Sequence, residues 1–167
     1  MRACNETRHP MKIDVTNLQD GVPIDRRAMR RAARAALTDL LGCYSVVFVD
    51  DERMREVNRQ YLGRDHSTDV VAFPFDDAPL TQDDCAGEVI ISAQRAGAEA
   101  RRRGLDVEAE LALYVVHGAL HLAGFDDTTP RQAEEMHARE RELLAELGYD
   151  VRRLWKPVRS QKRSSRS

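Results

Sequence analysis

Apolar residues alternate with polar ones, or run together as β-branched residues, in four short stretches of the chain. Met11–Asn17 alternates and Ser45–Val49 is rich in valine, and both patterns predict strands. Val70–Phe75 and Gly87–Ser92 predict a third and a fourth strand. Because Pro74 has no amide hydrogen, the third strand is expected at a sheet edge or to end there.

Five other stretches repeat apolar residues every three or four positions, as helices with one buried face do. The aspartates at positions 25 and 50 or 51 can cap the first two, and a glycine follows each of the last three within two residues. The helices are expected from Asp25 to about Leu41, from Asp50 or Asp51 to Tyr61, from Ala93 to Arg103, from Val107 to about Leu122, and from about Pro130 to about Leu147.

This order of elements predicts an α+β fold, with a four-stranded mixed sheet packed with about five helices. The length of 167 residues suits one compact domain. We expect a flexible N-terminus over residues 1–10, a catalytic domain over residues 11–150 and a basic, disordered tail over residues 151–167.

Composition and charge narrow the class of protein. Hydrophobic residues make up 42% of the chain and charged residues 32%, which is typical of a globular protein. The net charge of −2 gives no overall attraction to nucleic acid, but the chain has no acidic residue after Asp150. The basic tail therefore either adds affinity for RNA or only keeps the protein dissolved, and the arginine stripe of the first helix leaves the same two alternatives.

The chain lacks the patterns of a membrane or secreted protein. Its first ten residues are polar, and its longest apolar runs are far too short to span a bilayer. Cys4, Cys43 and Cys85 are widely spaced and odd in number, which is typical of idle thiols in a reducing compartment. We therefore expect a cytoplasmic protein without a membrane partner.

The strongest chemical signal lies on the apolar helix in the second half of the chain. His117 and His121 are four residues apart and so share one helix face, from which both imidazoles can bind one ion. Gly124 can then turn the chain back, so that Asp126 or Asp127 supplies a third ligand. Three protein ligands and one open position are typical of a catalytic zinc site.

The familiar zinc-peptidase motif does not account for this segment. That motif places a glutamate directly after the first histidine, where it acts as the general base. Here the position holds Gly118, so the base is missing.

The segment His117–Asp127 (HGALHLAGFDD) resembles the H-G-x-L-H-L-x-G-Y-D-H signature of the YbeY family of bacterial metal-dependent endoribonucleases. Val57–Pro74 is similar to the family's L-N-x-x-Y-R-x-x-D-x-x-T-D-V-L-S-F-P, and Gly87–Ser92 to its G-D-I-x-I-S strand. The three blocks keep the family's order and spacing across Ile13–Leu147.

The resemblance implies a site with one Zn²⁺ per chain. Its ligands would be His117, His121 and Asp127, and Asp127 stands where the family has histidine. Because an aspartate adds negative charge and a harder oxygen donor, other divalent metals are also possible. Asp126 matches the family's own aspartate and is expected to hydrogen-bond a neighbouring ligand from outside the metal sphere.

A second departure affects the residue that would contact phosphate. The family often has an arginine after the tyrosine of the second block, where this chain has Leu62. Either Arg64 or Arg59 replaces it and neutralises charge on the phosphate, or catalysis is weaker than in the family.

The resemblance implies a single-strand-specific, metal-dependent endoribonuclease that acts in ribosomal RNA maturation and ribosome quality control. Its partners would be ribosomal RNA, as a small-subunit precursor, and the ribosome or its proteins. The alternative is a ribosome-associated assembly or binding factor whose metal is mainly structural. The open coordination position favours the enzyme, and RNA cleavage compared with a His117→Ala variant separates the two.

Overall fold

The computed structural model describes residues 11–75, 81 and 83–154, and these residues form four strands and six helices. Three parts of the chain lie outside the described residues. They are the expected flexible segment 1–10, the residues 76–80 and 82 before the fourth strand, and the basic tail from residue 155. The elements are β1 Lys12–Asn17, α1 Arg26–Ala36, β2 Cys43–Val49, α2 Asp51–Leu62, β3 Val70–Pro74, β4 Cys85–Ser92, α3 Ala93–Arg103, α4 Val107–Leu122, α5 Pro130–Glu146 and α6 Val151–Leu154.

The predicted fold class is confirmed, with a four-stranded mixed sheet in the order β1-β2-β4-β3. β1, β2 and β4 run parallel, and β3 pairs with β4 in the antiparallel direction. Pro74 is the last residue of β3, and β3 lies at the edge of the sheet, so both expectations for this proline hold.

The sheet buries both of its faces. Alternate residues of β4, Val89 and Ile91, enter the main core together with side chains from α1, α3, α4, α5 and α6. The residue between them, Ile90, joins a smaller cluster with Met54 of α2 on the opposite face. Because neighbouring residues of a strand point to opposite faces of the sheet, α2 covers one face and the other helices cover the other face.

Helix α4 lies inside the main core and contacts α1, α3 and α5 as well as β3 and β4. Nine of its sixteen residues are buried, which is the reason for its nearly continuous apolar sequence. Its bounds, and those of α3, agree with the sequence prediction. No helix in the described ranges is long and apolar enough to cross a bilayer.

The strand boundaries differ from the prediction by at most two residues, and the larger differences concern α1 and the end of the domain. Helix α1 ends at Ala36 rather than near Leu41, because the Thr38 hydroxyl bonds back to helix carbonyls and Asp39 takes a left-handed φ of 70°. The fold also continues past the expected domain end at residue 150. Helix α6 packs Leu154 into the main core, where its side chain is 3% exposed.

Gly118 sets the distance between α4 and the sheet. A Cβ atom built at Gly118 would lie 2.4 Å from a methyl carbon of Val89 and 2.9 Å from one of Val70. Both distances are far shorter than van der Waals contact, so any side chain here would push α4 away from β3 and β4.

We predict that Gly118→Ala destabilises the protein by about 1–3 kcal/mol, since overpacking outweighs the helix propensity that alanine adds. Urea unfolding measures the difference. The Gly118→Ala/Val89→Ala double variant should lose less stability than the sum of the two single losses, because the second change removes the closer of the two clashes. A Gly118→Ala variant more stable than the parent would contradict this packing argument.

Candidate functional site

The two histidines predicted to share a helix face do so, and their rings meet at the C-terminal end of α4. The Nε2 atoms of His117 and His121 are 3.1 Å apart. About a quarter of each side chain is exposed, 28% for His117 and 27% for His121, so both are held by packing yet reach solvent.

The other nitrogen of each ring is already committed to an acceptor. His117 Nδ1 donates to Glu140 Oε1 at 2.6 Å, and His121 Nδ1 donates to the Phe125 carbonyl at 3.1 Å. When both Nδ1 atoms carry the hydrogen, both Nε2 atoms present lone pairs, and these lone pairs face each other. Two acceptors this close repel unless a cation lies between them, so the donor set fits a metal ion.

Asp127 completes the cluster. Its Oδ2 lies 3.8 Å from His117 Nε2, and its Oδ1 lies 3.8 Å from His121 Nε2. One ligand atom from each of the three residues falls within 4.8 Å of the others, so these residues can hold a metal ion. Ligands bound to a tetrahedral zinc at 2.0–2.1 Å lie roughly 3.3 Å apart, close to the separations found here.

The turn after α4 delivers this carboxylate. Gly124 takes a φ of 98°, and the Phe125 amide donates back to the Leu120 carbonyl at 3.0 Å, which closes the helix. Asp126 Oδ1 accepts the Asp127 amide hydrogen at 2.8 Å. Asp127 therefore faces the histidines, as the family resemblance implied, and Asp126 fixes the backbone that carries it.

A cleft of about 500 Å³ opens over the cluster of His117, His121 and Asp127. Its walls come from β3, the loop before β3 and the turn after α4. Arg64 and Leu62 line this cleft together with His117 and His121. Arg59 does not line it, and instead forms an exposed ion pair with Asp65 at 3.1 Å. The structure thus brings Arg64 to the candidate site and leaves Arg59 outside it.

A buried asparagine holds the loop that carries Arg64, and the sequence interpretation missed this role. Asn58 is fully buried on α2, and its side-chain amide donates to the His66 carbonyl at 2.6 Å and to the Thr68 hydroxyl at 3.1 Å. The backbone carbonyl of Asn58 accepts the Arg64 backbone amide hydrogen at 3.1 Å. Asn58 therefore fixes both ends of the loop between α2 and β3.

Glu140 is the second residue whose role the sequence interpretation missed. Its side chain is 3% exposed and is bonded to His117. Met136, Leu143 and Leu144 are buried on the same helix, at spacings of three and four residues from Glu140. A glutamate inside such an apolar stripe was the available signal.

The family model described as Endoribonuclease YbeY matches residues 14–148. The endoribonuclease YbeY of Syntrophus aciditrophicus (strain SB) is 34% identical over 153 residues, which cover 86% of this chain and 95% of that protein. The endoribonuclease YbeY of Geobacter sulfurreducens is 38% identical over 145 residues, which cover 82% of this chain and 96% of that protein.

A solved structure agrees with the fold. The solution structure of TM1509 from Thermotoga maritima aligns with a TM-score of 0.58 and covers 92% of this chain and 99% of its own. At 23% sequence identity this likeness supports the α+β architecture alone.

The Glu140–His117 hydrogen bond predicts a change in metal affinity. Glu140→Gln keeps an oxygen acceptor but removes the charge that makes the imidazole more basic, so affinity should fall by about 10–100-fold. Zinc titration in competition with a chromogenic chelator measures the change. Glu142→Gln removes the same charge from an exposed position of the same helix and should bind like the parent. Equal affinities for the two variants would contradict the assigned role of Glu140.

Proposed function

The chain belongs to the YbeY family of endoribonucleases, and from this membership we propose that it cleaves single-stranded RNA with a divalent metal, zinc, held by His117, His121 and Asp127. The observation that carries the proposal is the position of the two Nε2 atoms. They lie 3.1 Å apart, beside Asp127 and beneath an open cleft. A mainly structural metal is normally enclosed by four protein ligands, whereas these three stand at a surface that a substrate can reach.

Each residue around the cluster has a separate proposed role in the reaction. A bound divalent ion supplies Lewis acidity and lowers the pKa of its water. His117, His121 and Asp127 would hold that ion, and Glu140 keeps the His117 ring in the orientation that presents Nε2. Arg64, at the cleft wall, is proposed to bind a phosphate oxygen and offset the charge that develops there.

The surface around the cleft suits unpaired bases. Leu62 and Phe125 line the cleft with side chains 42% and 37% exposed, and Tyr61 and Phe75 nearby in sequence are 62% and 47% exposed. Exposed aromatic rings give nucleobases a surface on which to stack, and bases within a duplex are already stacked on each other. This arrangement supports single-strand specificity.

The cellular substrate is proposed from the family resemblance. We propose ribosomal RNA, as a precursor of the small subunit, with the ribosome or its proteins as partners and the cytoplasm as the place of action. The alternative function, an assembly or binding factor with a structural metal, makes the opposite prediction for RNA cleavage. In that case His117→Ala would alter folding or binding, and purified parent protein would cleave no RNA.

The first test concerns the third ligand. Asp127→Ala should lower zinc affinity and RNA cleavage together, because it removes a bond to the ion. Asp127→His should retain metal, since it supplies a neutral nitrogen at the same position. Asp126→Ala should lower zinc affinity less, by about 10–100-fold, because Asp126 acts only through its hydrogen bond to the Asp127 backbone. Elemental analysis and cleavage of a short labelled RNA report both properties.

Two results would reverse this assignment. Parental metal content in Asp127→Ala with loss in Asp126→Ala would make Asp126 the ligand. If both variants keep the parental metal content, neither carboxylate is a metal ligand.

The second test compares the two arginines. Arg64→Ala should lower kcat/KM for RNA by roughly 100-fold, the cost typical of removing one charge-stabilising group. Arg59→Ala is the matched control and should cleave at nearly the parental rate, since Arg59 lies outside the cleft. Zinc content should stay unchanged in both variants. A larger loss with Arg59→Ala than with Arg64→Ala would exclude Arg64 from the phosphate site.

A further inference from the structure

Helix α1 carries a strong positive charge on one side. Its eleven residues include five arginines and no aspartate or glutamate. The arginines recur every four residues in two adjacent rows, so they share one helix face about 12 Å long. We call this surface the α1 arginine face, and it consists of Arg26, Arg27, Arg30, Arg31 and Arg34.

Four arginines of this face have no acidic partner. Among the described residues, the exposed ones that take part in no ion pair are Arg26, Arg27, Arg31 and Arg34. Arg30 is half-buried and donates to the Ile13 carbonyl at 3.1 Å. Asp25, which precedes the helix, is bonded to backbone amides of its first turn. Outside α1, the arginines paired with carboxylates are Arg59, Arg95, Arg102, Arg103, Arg131, Arg139 and Arg152.

The charges of this face work against the stability of the helix. Arginines four residues apart, such as Arg27 and Arg31, repel each other on a helix surface. Arg26 and Arg27 also stand in the first turn, where the helix dipole favours negative charge, and no acidic residue of α1 lies there. A bound polyanion would offset both effects.

The chemistry of the face indicates which polyanion fits it. Protein interfaces are centred on aromatic and aliphatic side chains, and amphipathic helices enter a membrane through their apolar face. In the described part of the chain, no large hydrophobic side chain of α1 is exposed, and Met29 and its alanine neighbours lie in the main core. A sugar–phosphate backbone needs only positive charge on the surface that binds it.

The same composition distinguishes paired from unpaired RNA. Proteins that bind single strands offer aromatic rings on which the bases stack. The face offers guanidinium groups and no ring. In a double helix the bases are already stacked on each other and the phosphates lie outside, so a paired segment matches the face better than an unpaired one.

The face and the metal cleft lie at different edges of the sheet. Helix α1 packs against β1 at one edge, whereas β3, which walls the cleft, lies at the other. Three strand spacings, roughly 14 Å, separate β1 from β3. None of the α1 residues lines the cleft. An RNA helix on α1 therefore leaves the cleft open to a single strand.

We propose that the α1 arginine face binds the backbone of a double-helical segment of the RNA whose single-stranded part is cleaved at the metal. The choice of RNA rests on the proposed function. Each guanidinium can pair with phosphate oxygens through two parallel hydrogen bonds. Because phosphates carry no sequence information, the face recognises paired RNA of any sequence. It holds the substrate, and the cleft selects the unpaired strand.

Binding of a short RNA hairpin without single-stranded ends tests the face without any cleavage. The variant replaces four arginines by glutamine and keeps Arg30, which is bonded to β1; the four are Arg26, Arg27, Arg31 and Arg34. Near about 0.1 M salt its affinity should fall at least about 100-fold. The slope of log K against log salt should flatten by roughly 3–4, because each phosphate contact contributes about 0.9. Fluorescence anisotropy at several salt concentrations measures both quantities.

Two further variants control for net charge and for the chemistry of the face. The first removes the same charge from exposed positions of α2 and α5, with glutamine at Arg53, Arg55, Arg131 and Arg141, and should bind nearly like the parent. An equal loss there would reduce the effect to net charge and overturn the face. The second has lysine at the four α1 positions and should keep most of the affinity, since lysine retains the charge.

The folding of the glutamine variant of α1 can be checked directly. It removes like-charge repulsion and the unfavourable charges of the first turn, so it should melt no lower than the parent. A loss of hairpin affinity at unchanged melting temperature would therefore come from the lost charges.

Cleavage of two RNAs separates the face from the proposed function. The glutamine variant of α1 should cut a short unpaired RNA like the parent, and should show a higher KM at parental kcat when the same strand is joined to the hairpin. Hairpin binding that depends on the α1 arginines, without cleavage of either RNA, would support the face and overturn the proposed function.

Two other outcomes would overturn the face and leave the function standing. The first is RNA cleavage together with equal hairpin affinity in the parent and the glutamine variant of α1. The second is tighter binding of the parent to polyglutamate, or to phosphatidylglycerol vesicles, than to the hairpin, since the partner would then be an acidic protein or a membrane.

Discussion

The contact between α4 and the sheet is the constraint on which the rest of the site depends. Gly118 has no side chain, so the helix can lie directly against Val89 and Val70. The neighbouring His117 is then held at a fixed height above β3, and His121 follows one turn later. A helix displaced by even one methyl group would move both imidazoles relative to the cleft wall.

Close packing of the helices also brings a buried carboxylate to its hydrogen-bond partner. Glu140 is buried, and its pairing with His117 gives the carboxylate a donor while it orients the ring. The buried carboxylate orients the imidazole, and the imidazole would in turn bind a metal ion. Asp127 enters from the opposite side, so the cluster is supported by α4, α5 and the turn between them.

Local patterns were predictable from the sequence, and contacts between distant segments were not. The spacing of His117 and His121 follows from helix geometry alone, and the apolar run around them identified α4. The choice between Asp126 and Asp127 depended on a turn whose dihedral angles no periodicity encodes. Glu140 lies 23 residues from its partner, and only the packed helices bring the two together.

The strand that walls the cleft has a further consequence for how the protein behaves at high concentration. β3 is one of the two edge strands of the described sheet, has only five residues and ends in Pro74. A short edge that ends in a residue without an amide hydrogen gives a neighbouring chain little backbone to pair with. The protein can therefore keep its cleft beside an open sheet edge without inviting strand-to-strand aggregation there.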